Sequence, residues 1–286
     1  MKDYKVLEDI LTVQGLLEYT DDDMANSLGV TRTTLNNWKK KINNISDKHT
    51  EQFYEFAFNN GINLNKIKES LHKEEINDKN HKVLFHGAKT DIKGKISLEK
   101  SKDNNDFGKG FYCGESLEQS AMFVSIIPKS SLYIVDFNKM GLKGKNIDIS
   151  EEWILLIAYH RGRLEEWSHS KKIKNILNKY KDLDYIIAPI ADNRVYEIID
   201  SFINGEITNI QCQHSLAATD LGKQYVFLSE RAIKNLKVLE HCYLAEREKD
   251  YYLAIRSSSI NMNRDKVKIA RRKYRNEGKY IEEILK

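Results

Sequence analysis

VLFHGAK, residues 83–89, is a short apolar run that ends in His86 and Gly87. Its length and composition read as a β-strand. The glycine leaves bare backbone at the strand end, where a ligand can approach closely. The run follows KEEINDKNHK (73–82), a polar stretch read as a linker. Three more β-rich runs come after it, SLYIVDF (131–137), DYIIAPIA (184–191) and KQYVFLS (223–229), separated by helical segments and Gly or Asn turns. Before it, residues 8–72 place apolar side chains at three- and four-residue intervals and contain no Pro, the pattern of helix after helix. The change of period puts a boundary near residue 80. The expected architecture is an all-α module over 1–78, an α+β domain over 79–240 built on a split pair of small sheets, and a basic helical extension over 241–286.

Bulk properties bound the classes open to the chain. Its 286 residues, 41% hydrophobic and 31% charged, suit a soluble globular protein. No apolar run approaches the roughly 20 residues that a membrane helix needs, so no membrane association is expected. The start MKDYKVLEDI lacks the basic and apolar segments of a secretory signal. Cys113, Cys212 and Cys242 are odd in number and far apart, which argues against a disulfide framework or a zinc site and for a reducing cytoplasm. No metal is expected. Net charge is only +4, but residues 251–286 carry ten Lys or Arg against four Asp or Glu. Such a segment can hold nucleic-acid phosphates, or simply form a solvated helix face.

Within the helical part, DDDMANSLGVTRTTLNNWKKKI (21–42) spaces Ala25, Gly29 and Leu35 so that a small residue lets two helices approach, a glycine supplies a positive φ, and a leucine anchors the second helix. The segment resembles the helix-turn-helix family of DNA-binding modules. Thr31 would cap the second helix, and Arg32, Thr33, Asn36, Asn37 and Lys39 are the side chains expected to reach bases or phosphates of DNA or RNA. A small bundle for dimerisation or protein docking is the alternative. Asp21, Asp22 and Asp23 would repel phosphate.

Three segments of the α+β part offer what cleavage of a nicotinamide–ribose bond requires: a slot for a planar ring, a partner for a ribose, and stabilisation of an oxocarbenium-like transition state. One is VLFHGAK itself. A second is NNDFGKGFYCGESLEQSAMFV (104–124), a Gly-rich turn leading to Phe111 and Tyr112 and then to a helix with Phe123. The third is KQYVFLSERAI (223–233), which presents Gln224 and, further on, Glu230.

Together these resemble the ADP-ribosyltransferase superfamily, in its diphtheria-toxin and poly(ADP-ribose) polymerase branch with a His, Tyr, Glu pattern. His86-Gly87 stands where the branch has its strand-borne His-Gly, Gly110-Phe111-Tyr112 where it has Gly-Phe/Leu-Tyr, and Phe123 eleven residues on. Gln224-Tyr225-Val226 resembles the Glu-Tyr-Ile strand, with Ala232 in the following helix, and departs by putting glutamine for glutamate. More narrowly, LFHGAK, SKDNNDFGKGFYC, DYIIAPIADNRVYEII and QYVFLSERAI look like a bacterial DUF3990 family related to these transferases, over roughly residues 82–236.

The resemblance implies an ADP-ribosyltransferase-like split β-sandwich with flanking helices and NAD as donor substrate. His86 would bond a ribose hydroxyl, the Gly87 backbone the nicotinamide carboxamide, and Tyr112 and Phe123 would sandwich the ring, with Phe111 beside them. Gln224 would hold the 2′-hydroxyl of the nicotinamide ribose, but a neutral amide lends no Coulombic help to a cation. Glu230 or a substrate group would then supply charge, or turnover is slow. Ser101, Asn105 and Asp106 are candidates for a phosphate- or ribose-binding loop, as well as ordinary turn formers. Asp192, Asn193 and Arg194 suit either a ligand or a turn with a salt bridge, and Arg161 a phosphate. The implied activity is mono-ADP-ribosylation of a nucleic acid or protein by a bacterial toxin or phage-defence effector, with an antitoxin or other protein as a further partner. A transcriptional regulator that senses NAD or ADP-ribose through a degenerate domain, and an NAD glycohydrolase, are the alternatives.

Overall fold

The computed structural model describes residues 4–128, 130–219 and 221–286, apart from the side chains at 261 and 262. Five helices come first: α1 (Val6–Leu16), α2 (Asp21–Ser27), α3 (Arg32–Lys39), α4 (Asp47–Asn59) and α5 (Leu64–Glu75). Their apolar spacing produces a separate core of Ile10, Val13, Met24, Ala25, Leu35, Trp38 and Phe53. Thr20 closes a capping box with Asp23 at the start of α2, and the Thr31 side chain accepts from the Thr34 amide at the start of α3. Between them Gly29 takes φ 63°, a left-handed conformation that costs a glycine little.

The rest of the chain runs β1 (His81–Ala88), β2 (Phe111–Gly114), α6 (Leu117–Val124), β3 (Ser131–Asn138), β4 (Gly144–Asn146), α7 (Glu151–His160), α8 (Lys171–Tyr180), β5 (Tyr185–Pro189), α9 (Asn193–Ile203), α10 (Asn209–Ala217), β6 (Lys223–Phe227), α11 (Glu230–Lys234), β7 (Leu236–Cys242), α12 (Glu246–Lys273) and α13 (Ile281–Leu285). Its strands form a seven-stranded mixed sheet in the order β4-β5-β6-β2-β1-β3-β7, with β4 and β5 parallel and the other neighbours antiparallel. The fold is thus α+β, as expected, but the strands share one sheet where two separate sheets were expected. β1 pairs with β3 along all eight residues, yet meets β2 at one pair, Phe85 opposite Gly114.

That narrow joint lets the two halves fold towards each other. Leu84 and Phe137 from one half pack with Phe111, Cys113, Tyr225 and Phe227 from the other, and the Phe137 and Phe227 rings meet edge to face with centroids 4.7 Å apart. The outer face of the β6 half is covered by α7 to α10, and that of the β1 half by α6 and α12.

The C-terminal helices do not stand apart as an extension. Tyr252 of α12 is fully buried with Phe85, Leu117 and Ile134, while Ile281 and Leu285 of α13 enter the core under α7 to α10. α12 also reaches α4, and so bridges the helical module and the sheet. A second tie is Glu240 of β7, which accepts from Lys5 at 2.6 Å and lies 3.2 Å from His72 Nε2. Among the described residues no helix is long and apolar enough to cross a membrane. The three cysteines are buried and unbridged.

A buried carboxylate lies where α5 meets α12. Glu248 is 4% exposed. Both of its oxygens lie 3.1 Å from Asn65 Nδ2, which also donates to the Tyr243 carbonyl. Burial pushes the Glu248 carboxyl up to about 7, against the bond from Asn65. The folded protein therefore keeps this proton between about pH 4.5 and 7 while the unfolded chain releases it. Stability contributed by the protonated form is complete at the acid end of that window, is lost as pH rises through it, and levels off above. Glu248→Gln removes the titration and offers a donor to Asn65 Oδ1, which is buried without a partner. We expect the variant to gain on the order of 3 kcal/mol relative to wild type between pH 5 and 8. Urea unfolding across that range checks it, and parallel pH profiles for the two proteins would refute it.

Candidate functional site

The site forms around the β1–β2 joint. His86 lies at the end of β1, half-buried, with its ring stacked on Phe111 at a centroid distance of 4.1 Å. Its Nδ1 lies 2.6 Å from the Tyr112 carbonyl oxygen. A carbonyl can only accept, so Nδ1 carries the proton. Burial lowers the pKa of His86, against the opposing effect of that bond, and favours the neutral ring. Nε2 is then a bare acceptor suited to a hydroxyl. Phe111, expected beside the nicotinamide, is itself buried and supports the imidazole from behind.

Gly87 is required by packing. A Cβ there would sit 2.6 Å from Val124 Cγ1 and 3.0 Å from the Ser120 carbonyl, because α6 lies directly on the strand. The open backbone face expected from the sequence is thus covered by a helix. Gly114 is similar, with Ser120 Oγ at 2.5 Å from its would-be Cβ. Ser120 Oγ also donates to the Phe85 carbonyl, so α6 is held across the joint. Phe123 projects from α6 and is 59% exposed.

Tyr112 is half-buried and its hydroxyl is engaged, donating to the Gly108 carbonyl at 2.8 Å and accepting from the Phe107 amide at 3.1 Å. Ser101 Oγ accepts from Asn105 Nδ2 at 3.0 Å and from the Gly110 amide at 3.1 Å. Asn105 also donates to the Lys102 carbonyl. Both expected ligand groups therefore brace the 101–110 loop with these polar atoms. The loop, in turn, carries Asp106 inward.

Asp106, expected with Ser101 and Asn105 as a ligand-binding loop residue or a turn former, instead centres a network of distant partners. It is 5% exposed. Its Oδ2 accepts from Gln224 Nε2 at 3.0 Å, and its Oδ1 accepts from Arg161 Nη2 at 2.9 Å and from the Tyr196 hydroxyl at 2.5 Å. Arg161 lies over the Tyr196 ring with 4.1 Å from its guanidinium carbon to the centroid. Burial raises the Asp106 pKa, opposed by Gln224, by Arg161 and by the Ala191 amide. A buried carboxylate with this many donors stays paired. Residues 106, 161, 196 and 224 come from a loop, α7, α9 and β6, so no local motif could have joined them.

Gln224 is 7% exposed, and its Nε2 also donates to the Pro189 carbonyl at 3.1 Å. In register, Phe85, Gly114, Gln224 and Ala188 form one row across four strands. Gln224 thus shares a face with Phe85, two strands away at roughly 10 Å, whereas His86, one residue further along β1, turns its side chain to the opposite face, against Phe111. Glu230 does not join them. It is exposed at the start of α11, beyond the opposite end of β6, because the strand runs straight from Gln224 to Phe227 before the helix begins. Asp192 and Arg194 form a helix cap with a salt bridge of 2.9 Å, and Asn193 opens α9.

In the helical module Arg32 and Thr33 are exposed on α3, while Asn36 and Asn37 are half-buried. Arg32 pairs with Asp22 at 3.1 Å on the surface. Lys39 is differently occupied: its ammonium donates to Asp21 at 2.5 Å and to Gln14 at 2.8 Å. Asp21, expected to repel phosphate, is thus matched by an internal cation. No group of three His, Cys, Asp or Glu among the described residues could hold a metal ion.

Residues 82–238, more than half the chain, match the family model described as "Protein of unknown function (DUF3990)". The chain belongs to the DUF3990 family. The matched span begins with β1 and ends within β7, and so takes in the whole site around His86, Asp106, Tyr112 and Gln224. No curated protein and no solved structure matches the chain.

The closeness of α6 to β1 is directly testable. Gly87→Ala forces Val124 or the helix to shift, and overpacking of this kind costs roughly 1–3 kcal/mol. We expect a lowered melting temperature in differential scanning calorimetry; a wild-type value would show that α6 is not seated as described.

Proposed function

We propose that the DUF3990 domain binds NAD at the β1–β2 joint and transfers its ADP-ribose moiety to a macromolecular acceptor, releasing nicotinamide. The observation that carries this reading is the state of His86: neutral, proton on Nδ1, held by the Tyr112 carbonyl across the joint, with Nε2 left to accept from a ribose hydroxyl. The seven strands, divided three and four at one bridging pair and folded on each other, support the split-sandwich architecture of ADP-ribosyltransferases. Tyr112 and the exposed Phe123 ring are the candidates to flank nicotinamide, and Gln224 to hold a ribose hydroxyl.

In this chemistry the protein holds the two ends of the donor while the glycosidic bond breaks to an oxocarbenium-like centre. His86 positions a ribose hydroxyl of the donor, Gln224 holds the 2′-hydroxyl of the nicotinamide ribose, and an acceptor nucleophile attacks the anomeric carbon as nicotinamide departs. Purified protein incubated with labelled NAD and with DNA, RNA and protein acceptors is expected to release nicotinamide and label one of them. His86→Ala and Gln224→Ala should each reduce turnover by roughly a hundredfold. Neither NAD binding nor nicotinamide release from the wild type would overturn the proposal. Transfer to water alone would make the protein an NAD glycohydrolase.

The helical module is proposed to bring nucleic acid to this domain through the helix-turn-helix formed by α2 and α3, whose outward face carries Arg32 and Thr33. Binding to duplex DNA or to RNA should weaken steeply with added salt. Arg32→Ala should weaken it severalfold, whereas Lys39, held by Asp21, matters less for contact than for helix packing. Unchanged binding by Arg32→Ala in a fluorescence anisotropy titration would assign α3 to protein docking instead.

A further inference from the structure

We infer that Asp106 is a positioning residue that locks the Gln224 side-chain amide with its nitrogen inward, and so commits Gln224 Oε1 to act as the acceptor for a ribose hydroxyl. This rests on the NAD reading for the identity of the ligand, but the lock itself is a property of the protein alone.

A glutamine amide can present either its NH2 or its C=O to a ligand, and a half-turn about the last torsion exchanges them. Here both neighbours of Nε2 decide the matter. The Pro189 carbonyl is an acceptor, and the Asp106 carboxylate, paired with Arg161, is an acceptor as well. A flipped amide would put Oε1 against two oxygens at about 3 Å, without a proton between them. The amide nitrogen has two protons, and these two partners use both. Oε1 is consequently the one polar atom of the side chain left to meet a ligand.

The lock has an electrostatic side. Oδ1 of Asp106 faces Arg161 and Tyr196, while Oδ2 faces Gln224, so the ion pair turns its negative end towards the amide. Hydrogen bonding to a charged acceptor polarises the amide and makes its oxygen a stronger acceptor. The neutral residue on β6 is thereby given some of the character of a carboxylate by a charge from a distant loop. The same geometry accounts for why the strand carries Gln: a glutamate at 224 would place two carboxylates 3.0 Å apart, and one would have to take a proton.

The test is a charge exchange. In Asp106→Asn, Arg161 and Tyr196 retain the side-chain oxygen, so the new NH2 faces Gln224 and turns its amide over. Nicotinamide release should fall by about tenfold or more in kcat, with KM for NAD little changed. Gln224→Glu alone should also be slow, because of the paired carboxylates. The double variant Asp106→Asn/Gln224→Glu restores a donor facing an acceptor, and should recover at least part of the loss of either single variant, with all proteins melting cooperatively. Independently of NAD, the two Gln224 side-chain amide protons in the 15N-labelled wild type should resonate downfield and exchange slowly, and Asp106→Asn should shift both upfield. Full activity in Asp106→Asn, or no recovery in the double variant, would overturn the inference. So would amide protons that do not move on substitution. A wild type that neither binds nor cleaves NAD, yet shows locked amide protons, would refute the ligand assignment while leaving the lock in place.

Discussion

A carboxylate removed from water must be met by donors, and the buried Asp106 organises the β2–β6 half of this protein through that requirement. Its donors come from α7, α9 and β6, and it hangs on a loop braced by Ser101 and Asn105. Loss of one partner would strand a charge or a buried hydroxyl, a cost on the order of several kcal/mol. The network therefore holds the 101–110 loop against the sheet. Tyr112, two residues past the loop, then has its hydroxyl anchored by Phe107 and Gly108, and its carbonyl is left to orient His86. The geometry of the histidine depends, through these steps, on a carboxylate buried beside a different strand.

A second constraint comes from steric closeness. Gly114 pairs with Phe85 at the one point where the two halves of the sheet meet, Gly87 lies two residues further along β1, and α6 rests on both glycines. Side chains at either position would lift the helix. α12 then backs α6 and continues to α4, so that the helical module, the helix bearing Phe123 and the joint of the sheet form one packed body. Glu240, gripped by Lys5 and His72 from the N-terminal helices, fixes the same relation at the edge strand.

The strands with dense β-branched and aromatic composition were legible. SLYIVDF and KQYVFLS became β3 and β6 because both of their faces are covered, and burial selects the residues that propensity recognises. β7 was not legible. LKVLEHC carries Lys237, Glu240 and His241 and lies between two helices, so it shows no dense apolar run of the kind that marked the other strands. It is an edge strand whose charges are used by a partner layer, which local sequence does not disclose. β2 was hidden for a different reason: four residues beside a Gly-rich turn are too few to show a period. Within the site, His86 stood out because it lies beside Gly87 near the end of an apolar run, and Tyr112 because it follows a Gly-rich turn. Glu230 stood out as the next acid after Gln224 in sequence, yet the strand carries it away.

By itself the sequence determined the elements with strong local causes: the run of leading helices, the Thr31 cap of α3, the left-handed turn at Gly29, the densely apolar strands, and the order of His, Tyr and Gln along the chain. Only the tertiary structure decided which carboxylate meets Gln224, that Lys39 is engaged within the module, that α6 covers Gly87, and that the C-terminal helices belong to the core. The division has a physical origin. Caps, turns and periodicity are set by interactions over a few residues, whereas a buried charge is neutralised by whichever donors the folded chain brings within about 3 Å, here from positions up to 118 residues away.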